Sequence, residues 1–289
     1  MTRIAVIGPG AVGVTFGAAA ERAGHDVTLY GRSGGPAPTL ELPGGEEHVL
    51  RRPVATAPDG PAPWILLAVK THQTAGAAPV LRALVEDGSV VVVLQNGVEH
   101  HALAAPHASG AHVLPAIVWC PSERLDAART VQRGPARLSV PDEPAGRALA
   151  ALLEPAAQVD PVPDFHTEAW RKLLLNATAA VMVISGRRAE VFREPAQLEI
   201  ARGLAEECVA VGRAEGAAVG PEDVSTVLEQ LVRMPPDLGT SMLFDRLAGR
   251  RLEWEARNGV VGRLGAGHGI PTPVTDDVCA RLAALGGQA

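Results

Sequence analysis

The sequence predicts an α/β protein in which a doubly wound parallel sheet, residues 1–163, is followed by an all-helical domain, residues 164–289. The first observation is that the N-terminal half alternates short, continuously apolar runs with alanine-rich helical stretches. Such runs are typical of parallel strands that are covered on both faces. The second observation is that no convincing strand follows His166, where helical stretches succeed one another. We therefore place the domain boundary near Pro163.

The predicted strands of the first half are RIAVIG, DVTLYG, WILLAV and VVVVLQN. Two helical stretches, AVGVTFGAAAERAG and THQTAGAAPVLRALVEDG, join them in pairs, which gives βαβ units with right-handed crossovers. Three later runs, AHVLPAIVW, TVQRG and ARLSV, are expected as antiparallel strands at the sheet edge. A last strand is expected in QVDPVPDF. In the second half we expect helices over residues 167–184, 194–215, 221–233, 240–266 and 274–285.

Composition excludes several classes of function. The formal net charge is −6 and no basic stripe occurs, which argues against a nucleic-acid partner. We expect neither a signal peptide nor a membrane-spanning segment, because every long apolar run is interrupted. Three scattered cysteines and nine dispersed histidines predict no metal site, and His100 and His101 are expected to be solvated. The expectation is a cytoplasmic protein with reduced thiols.

The segment VIGPGAVG follows the first predicted strand and opens the first helix. Gly8 permits a tight turn, Gly10 lets the backbone approach a pyrophosphate, and Gly13 lets the helix pack closely on the strand. The phosphates would bind N–H groups at the helix N-terminus, near Ala11 and Val12. This pattern predicts a Rossmann-type dinucleotide-binding domain, and the alternative is a purely structural tight turn.

The end of the second strand indicates which dinucleotide is bound. NAD sites usually carry an aspartate or glutamate there for the ribose hydroxyls, whereas this chain has LYGRS. The guanidinium of Arg32 suits a 2′-phosphate, and Ser33 adds a hydroxyl group. NADPH is therefore the predicted cofactor. The alternative is that Arg32 is an ordinary surface arginine.

Polar residues also follow the third and fourth strands, in AVKTHQT and LQNGVEH. Open parallel sheets bind ligands at the carboxyl ends of their strands, which makes Lys70 and Asn96 candidates for the ligand cleft. The alternatives are that Lys70 is a solvated charge and that Asn96-Gly97 is only a turn signal.

The stretch KLLLNATAAVMVIS, residues 172–185, reads as a helix buried nearly all round, yet it contains Lys172 and Asn176. These side chains are four residues apart and share one helix face, which Ala180 continues. Burying an ammonium group is costly unless it is paired or faces a cleft. A substrate cleft is one explanation. The alternative is that Lys172 reaches solvent from the helix start and Asn176 caps a neighbouring loop.

Six segments, in the order GPGAVG, VKTHQT, QNGVE, WRKLLLNA, SMLFD and LEWEARNG, span nearly the whole chain. Together they resemble the ketopantoate reductase family. Many dehydrogenases share the glycine loop, whereas the last three segments are much more specific. The resemblance implies a Rossmann domain, a helical C-terminal domain with the active site between them, and NADPH-dependent reduction of a 2-keto acid to a 2-hydroxy acid.

The resemblance also implies roles for residues of the helical domain. Lys172 is the general acid that protonates the substrate oxygen, and Glu253 helps to organise it. Asn176 and Ser241 bind the substrate. We expect partial desolvation to lower the pKa of Lys172 and the charge of Glu253 to raise it.

In the N-terminal half, the resemblance implies cofactor contacts for Arg32 and Lys70, and a place near the nicotinamide and the substrate for Asn96. Two departures from the family pattern concern the substrate. A second asparagine, four residues after Asn176 in pantoate enzymes, is Ala180 here, and SGRRAEVF contains no clear counterpart of a later one. The expectation is therefore a 2-keto acid different from ketopantoate, for example a more apolar one.

Other interpretations stay open at this point. Glu253 and Arg257 are four residues apart in RRLEWEARNG and could form an ordinary ion pair on a helix face. The protein could also be a β-hydroxyacid or opine-type dehydrogenase, or a non-catalytic NADP-binding sensor. The chain could also assemble as a homodimer.

Overall fold

The computed structural model describes residues 1–286, and the last three residues lie outside the described part. The chain divides into two compact units, Met1–Phe165 and the remainder from His166. The sequence prediction places the linker near Pro163. No helix in the described part of the chain is both long and apolar enough to cross a membrane.

The N-terminal unit is organised around a five-stranded parallel sheet with the spatial order β2-β1-β5-β6-β7. Its strands are β1 (Arg3–Ile7), β2 (Asp26–Tyr30), β5 (Trp64–Leu67), β6 (Val90–Val93) and β7 (His112–Pro115). The helices are α1 (Ala11–Arg22), α2 (Thr74–Leu84), α3 (His100–Ala104) and α4 (Pro144–Leu153), with short 3₁₀ turns at Thr71–Gln73 and Ala105–His107.

Alternate residues of the central strand β1 are buried on opposite faces of this sheet. Ile4 and Val6 belong to a core cluster that includes Phe16 of α1, whereas Ala5 and Ile7 belong to a second cluster that includes Leu81 of α2. Because side chains alternate across a strand, a sheet covered on both faces needs apolar residues at every position. The apolar runs therefore correctly predict a doubly wound α/β fold.

The later strands differ from the prediction. The run AHVLPAIVW divides into β7, which is parallel to β6, and β8 (Ile117–Trp119) in another sheet. Pro115 is the last residue of β7, and a proline cannot donate a ladder hydrogen bond, which favours the end of the strand there. The expected antiparallel extension of the sheet edge is thus wrong.

Two small sheets take its place. One has the order β12-β11-β8 and the other the order β4-β3-β10-β9. The remaining strands are β3 (Thr39–Glu41), β4 (Glu47–Val49), β9 (Ser122–Arg124), β10 (Arg129–Gln132), β11 (Arg137–Pro141) and β12 (Gln158–Val162). Three of them, β3, β4 and β9, have only three residues each and no apolar run, so the sequence contained no signal for them.

The described residues of the C-terminal unit contain helices and no named strand. The helices are α5 (Phe165–Thr178, which begins at the unit boundary), α6 (Ala180–Ser185), α7 (Pro195–Ala214), α8 (Pro221–Arg233), α9 (Ser241–Leu247), α10 (Val260–Gly267) and α11 (Pro273–Gly286). A 3₁₀ turn at Ala189–Arg193 and a π-helical turn at Glu255–Gly259 complete the set.

Two predicted helices are interrupted. The first, 167–184, breaks at Ala179 between α5 and α6. The second, 240–266, ends early because Gly249 has a φ of +63°, a left-handed conformation that commonly terminates helices. The N–H of Arg250 then bonds the carbonyl of Asp245 at 2.8 Å. Residues 248–253 are consequently not helical, and the π-helical turn follows them.

The packing of α5 against α7 allows a direct test of this fold. A Cβ added to Gly212 would lie 2.9 Å from Cε3 of the buried Trp170, whereas one added to Gly267 would meet nothing within 4 Å. We predict that Gly212→Ala lowers the free energy of unfolding by about 1–3 kcal/mol through overpacking. The matched variant Gly267→Ala should leave it unchanged or slightly higher. Urea unfolding of both variants measures the difference, and equal stabilities would contradict the packing described here.

Candidate functional site

The glycine loop follows β1 directly, and two of its glycines are required by the fold itself. Gly8 has a φ of +106°, and a Cβ there would lie 2.8 Å from the backbone nitrogen of Val69. A Cβ at Gly13 would lie 2.0 Å from the carbonyl oxygen of Gly8. Neither position accepts a larger residue, which agrees with a tight turn and a close contact between helix and strand.

Gly10 differs from these two glycines. Its φ of −82° is open to any residue, and a Cβ there would meet nothing within 4 Å. Neither strain nor packing within the chain therefore requires glycine at this position. Gly10 is the N-cap of α1, which has no side-chain cap and no acidic residue in its first turn. Ala11 and Val12, both half-buried, begin a helix whose first N–H groups have no intrahelical partner. This open, electropositive helix end fits a phosphate group.

Arg32 lies beside the glycine loop because Gly31 packs against it. A Cβ at Gly31 would lie 3.0 Å from the ring of Pro9, and the N–H of Gly31 bonds the carbonyl of Ala55 at 2.9 Å. Arg32 itself is exposed and forms no hydrogen bond or ion pair with the residues that the structure describes. An exposed guanidinium at this edge of the sheet is available to an anionic ligand.

Lys70 and Asn96 follow β5 and β6, and both are partly exposed. Their backbone positions are tied together by the side chain of Gln95, which donates to the carbonyl of Val69 at 2.9 Å and to the hydroxyl of Thr74 at 2.7 Å. Because β1, β2, β5 and β6 are parallel, their carboxyl ends lie at one edge of the sheet. The structure therefore brings the glycine loop, Arg32, Lys70 and Asn96 to the same edge. No pattern in the sequence distinguishes Gln95 as a residue with this role.

His100 is buried, and the expectation that it is solvated is wrong. Its side chain packs behind this edge, with Nε2 3.0 Å from the carbonyl oxygen of Gln95. Burial lowers the pKa of His100 to about 4, so that the ring is neutral at physiological pH and Nε2–H donates to this carbonyl. His100 thereby fixes the segment that contains Asn96, whereas the adjacent His101 is exposed.

In the C-terminal unit, α5 carries Lys172 and Asn176 one turn apart. Lys172 is half-buried and Asn176 is buried, on a helix whose other side chains mostly form the core. The choice of lysine is notable because the chain has 24 arginines and only two lysines, Lys70 and Lys172. Arginine is thus the usual surface cation of this protein. Ala180, expected on the same face, lies beyond the helix break and is fully buried.

Ser241 begins α9, where it is exposed, and its Oγ accepts a hydrogen bond of 2.9 Å from Nη2 of Arg257. Arg257 lies in the π-helical turn and is only 4% exposed. Glu253, 5% exposed, precedes that turn and lies outside any helix. Glu253 and Arg257 are thus both buried and do not lie on an exposed face of a regular helix, whereas the attraction between their charges, expected for an ordinary pair, is present.

The surroundings of Arg257 form a small buried charge cluster. Burial lowers the pKa of its guanidinium, and the negative charges of Glu253 and Asp245 act in the opposite direction. Asp245 also accepts a hydrogen bond of 2.9 Å from Nε of Arg250. The Nε of Arg257 has no hydrogen-bond partner within the described part of the protein. Two carboxylates and two guanidinium groups thus share this region.

Asn258, the next residue of the π-helical turn, is completely buried and connects the cluster to α5. Its Nδ2 donates to the carbonyl of Ala177 at 3.1 Å, next to Asn176 and just before the helix break. Through Arg257 and Asn258, this turn contacts both Ser241 and the segment that carries Asn176. Asn258 and a role for Arg257 were not predicted, because the sequence pattern indicates a regular helix here and does not reveal that both side chains are buried.

Comparisons with known proteins extend over the whole chain. A family model described as ketopantoate reductase PanE/ApbA matches residues 4–144, and its C-terminal counterpart matches residues 164–286. A 2-dehydropantoate 2-reductase of Mycobacterium tuberculosis (strain CDC 1551 / Oshkosh) is 44% identical over 287 residues, covering 98% of this chain and 97% of the relative.

Two solved structures resemble both units. A PanE/ApbA family ketopantoate reductase from Ralstonia eutropha JMP134 has a TM-score of 0.88 at 28% identity, and covers 98% of each chain. A dimeric ketopantoate reductase from Staphylococcus aureus has a TM-score of 0.89 at 24% identity, also over 98% of each chain, which shows the shared fold. The chain belongs to the ketopantoate reductase PanE/ApbA family and is an oxidoreductase that acts on a CH–OH or keto group.

Proposed function

We propose that the protein is an NADPH-dependent reductase that converts a 2-keto acid into a 2-hydroxy acid. The observation that carries the proposal is the half-buried Lys172, one turn before the buried Asn176 on a helix that also buries Trp170, Leu173 and Leu174. Family membership supports the reaction class, since the relatives are named as reductases of ketopantoate.

The N-terminal unit is proposed to hold the cofactor. A reduced nicotinamide, when bound, supplies the hydride. The open space at Gly10 and the N–H groups of Ala11 and Val12 suit the pyrophosphate. Arg32 suits a 2′-phosphate, which NADPH has and NADH lacks. Lys70 and Asn96 are proposed to contact the cofactor at the neighbouring strand ends.

The C-terminal unit is proposed to supply the proton. When the keto carbon is reduced, negative charge develops on its oxygen, and the ammonium of Lys172 stabilises this charge and donates a proton to it. Glu253 is proposed to orient Lys172 and favour its charged form. Asn176 and Ser241 are proposed to bind the substrate carboxylate and oxygen by hydrogen bonds.

For the substrate, we propose ketopantoate and similar branched 2-keto acids. The relative from Mycobacterium tuberculosis supports ketopantoate, because it is named a 2-dehydropantoate 2-reductase. Ala180 stands where pantoate enzymes have a second asparagine, so one polar side chain of the family pattern is missing here, and the panel of acids extends beyond ketopantoate for that reason.

We further propose that the enzyme acts in the cytoplasm as a homodimer. The three cysteines, Cys120, Cys208 and Cys279, are free thiols, as is usual in a reducing compartment. The fold shared with a dimeric enzyme from Staphylococcus aureus supports the assembly. Sedimentation of the purified protein would distinguish a dimer from a monomer.

The proposed binding of the cofactor pyrophosphate at Gly10 is tested by Gly10→Ala. Because the added Cβ would meet no protein atom, we predict that the free energy of unfolding falls by no more than about 1 kcal/mol, the scale of an N-cap substitution to alanine. The methyl group would occupy space proposed for the pyrophosphate, and NADPH should bind at least about tenfold more weakly. Fluorescence titration of NADPH measures this. Gly76→Ala in α2, where a Cβ also meets nothing, is the matched control. Unchanged NADPH affinity in Gly10→Ala would exclude this binding mode.

The choice of cofactor is tested by Arg32→Ala. We predict that the KM for NADPH rises about 10- to 100-fold, because a charge-assisted bond to the 2′-phosphate is lost, while the KM for NADH is unchanged. Arg22→Ala, an exposed arginine at the other end of α1, should change neither value. Equal effects on both cofactors would remove the role given to Arg32.

The general acid is tested by Lys172→Ala and Lys172→Arg, assayed with ketopantoate and a panel of branched and aromatic 2-keto acids. We predict that kcat falls about 10²- to 10⁴-fold in both variants, because arginine keeps the charge but does not release a proton. NADPH binding should be retained in both variants.

Two outcomes would contradict this proposal. If the wild-type enzyme reduces no acid of the panel, the proposed reaction is wrong. If Lys172→Arg keeps full activity, Lys172 is not the proton donor.

A further inference from the structure

Ser241 is exposed, and its hydroxyl group bonds to the buried guanidinium of Arg257. Nη2 of Arg257 donates to Ser241 Oγ at 2.9 Å, and the guanidinium is shielded from solvent whereas the serine is accessible. A ligand in contact with the serine would therefore experience Arg257 mainly through this hydroxyl group. The arrangement links a cation inside the protein to an accessible hydrogen-bonding group.

This bond determines how Ser241 can interact with a ligand. A guanidinium has five N–H donors and no acceptor, so Ser241 Oγ must be the acceptor in this contact. The hydroxyl hydrogen is then directed elsewhere, so Ser241 is available as a donor to a second partner. A hydroxyl that accepts a charge-assisted bond is also polarised, which makes it a stronger donor. The group that suits it best is an anionic oxygen.

A purely structural role does not account for Arg257. Its Nε has no partner among the described residues, and burying such a donor is unfavourable. Apolar residues often replace buried ion pairs without loss of stability, so the burial of this cation is not by itself evidence of a stabilising role. By contrast, Arg251 in the same segment forms an exposed i,i+4 ion pair with Glu255, with Nη2 3.1 Å from Oε1.

The buried cluster also keeps the guanidinium fixed. Glu253 and Asp245 both attract it, and Asn258 anchors the same π-helical turn to the carbonyl of Ala177. Single π-helical turns occur frequently at functional sites, because they alter the direction of neighbouring side chains. The donor on Ser241 is consequently held by several contacts rather than by one flexible side chain.

We propose that Arg257 is a positioning residue that fixes Ser241 as a hydrogen-bond donor and thereby selects substrates with an anionic carboxylate beside the keto group. This inference rests on the proposed function and specifies how the site would distinguish 2-keto acids from neutral ketones. Arg257 acts through Ser241 and takes no part in proton transfer.

The test compares a 2-keto acid that the wild-type enzyme reduces with the primary amide of the same acid. Arg257→Met should lower kcat/KM for the acid about 10- to 100-fold, mainly through KM, because a charge-assisted donor is lost. The amide should be affected much less, and the KM for NADPH should not change. Arg257→Lys, which can still donate to Ser241 Oγ, should restore part of the preference for the acid.

A double-mutant cycle shows whether Arg257 acts through Ser241. Ser241→Ala should reduce the acid preference as Arg257→Met does, and the double variant should be no worse than Ser241→Ala alone. If Arg257→Met does not fold, Arg257→Lys in the presence and absence of Ser241→Ala gives the same comparison. Arg251→Met, in the exposed pair, is the matched control and should behave as wild type.

Additive effects in the cycle, or equal losses for the acid and the amide, would overturn the inference. Such results would leave the proposed function intact, provided that the wild-type enzyme reduces the acid. If the wild-type enzyme reduces no 2-keto acid, the proposed function fails and this inference fails with it.

Discussion

The free-energy cost of burying a polar group is the constraint on which both units depend. A buried donor or acceptor without a partner destabilises the fold by about 1–3 kcal/mol, and buried charges cost more. In the N-terminal unit, Gln95 and His100 satisfy backbone carbonyls next to the carboxyl ends of the parallel strands. In the C-terminal unit, Asn258 satisfies the carbonyl of Ala177 where α5 ends. The candidate functional residues lie next to these satisfied groups, which hold them in place.

The two units position their candidate residues in different ways. A parallel sheet needs no special residue to bring strand ends together, and its loops then require only glycines where the backbone turns or packs closely. Helices offer no such edge, so the polar residues of the C-terminal unit are positioned by points at which regular helix geometry is interrupted. The break at Ala179, the left-handed Gly249 and the π-helical turn at Glu255–Gly259 are the three interruptions next to the candidate residues.

The chain uses arginine and lysine differently. Arginine forms nearly all of the surface ion pairs, and lysine is restricted to Lys70 and Lys172. A lysine can release a proton and shift its pKa, whereas a guanidinium remains charged. Arg257 is an exception among the arginines, since it is buried and contacts a serine. Residue type alone therefore makes Lys172 a candidate functional residue, whereas Arg257 becomes a candidate only when its burial is known.

The sequence by itself determined the doubly wound sheet, the helical second half, the glycine loop and the positions of Lys172 and Asn176, because apolar periodicity and glycine spacing act over a few residues. It also determined the absence of a carboxylate at the end of β2. Only the tertiary structure decided that β8 leaves the main sheet, that α5 breaks at Ala179, that His100 is buried, and that Arg257 reaches Ser241. These features depend on contacts between residues that are not adjacent in the chain. Ser241 and Arg257, for example, are separated by 16 positions, and no local sequence pattern records the free energy of such a contact.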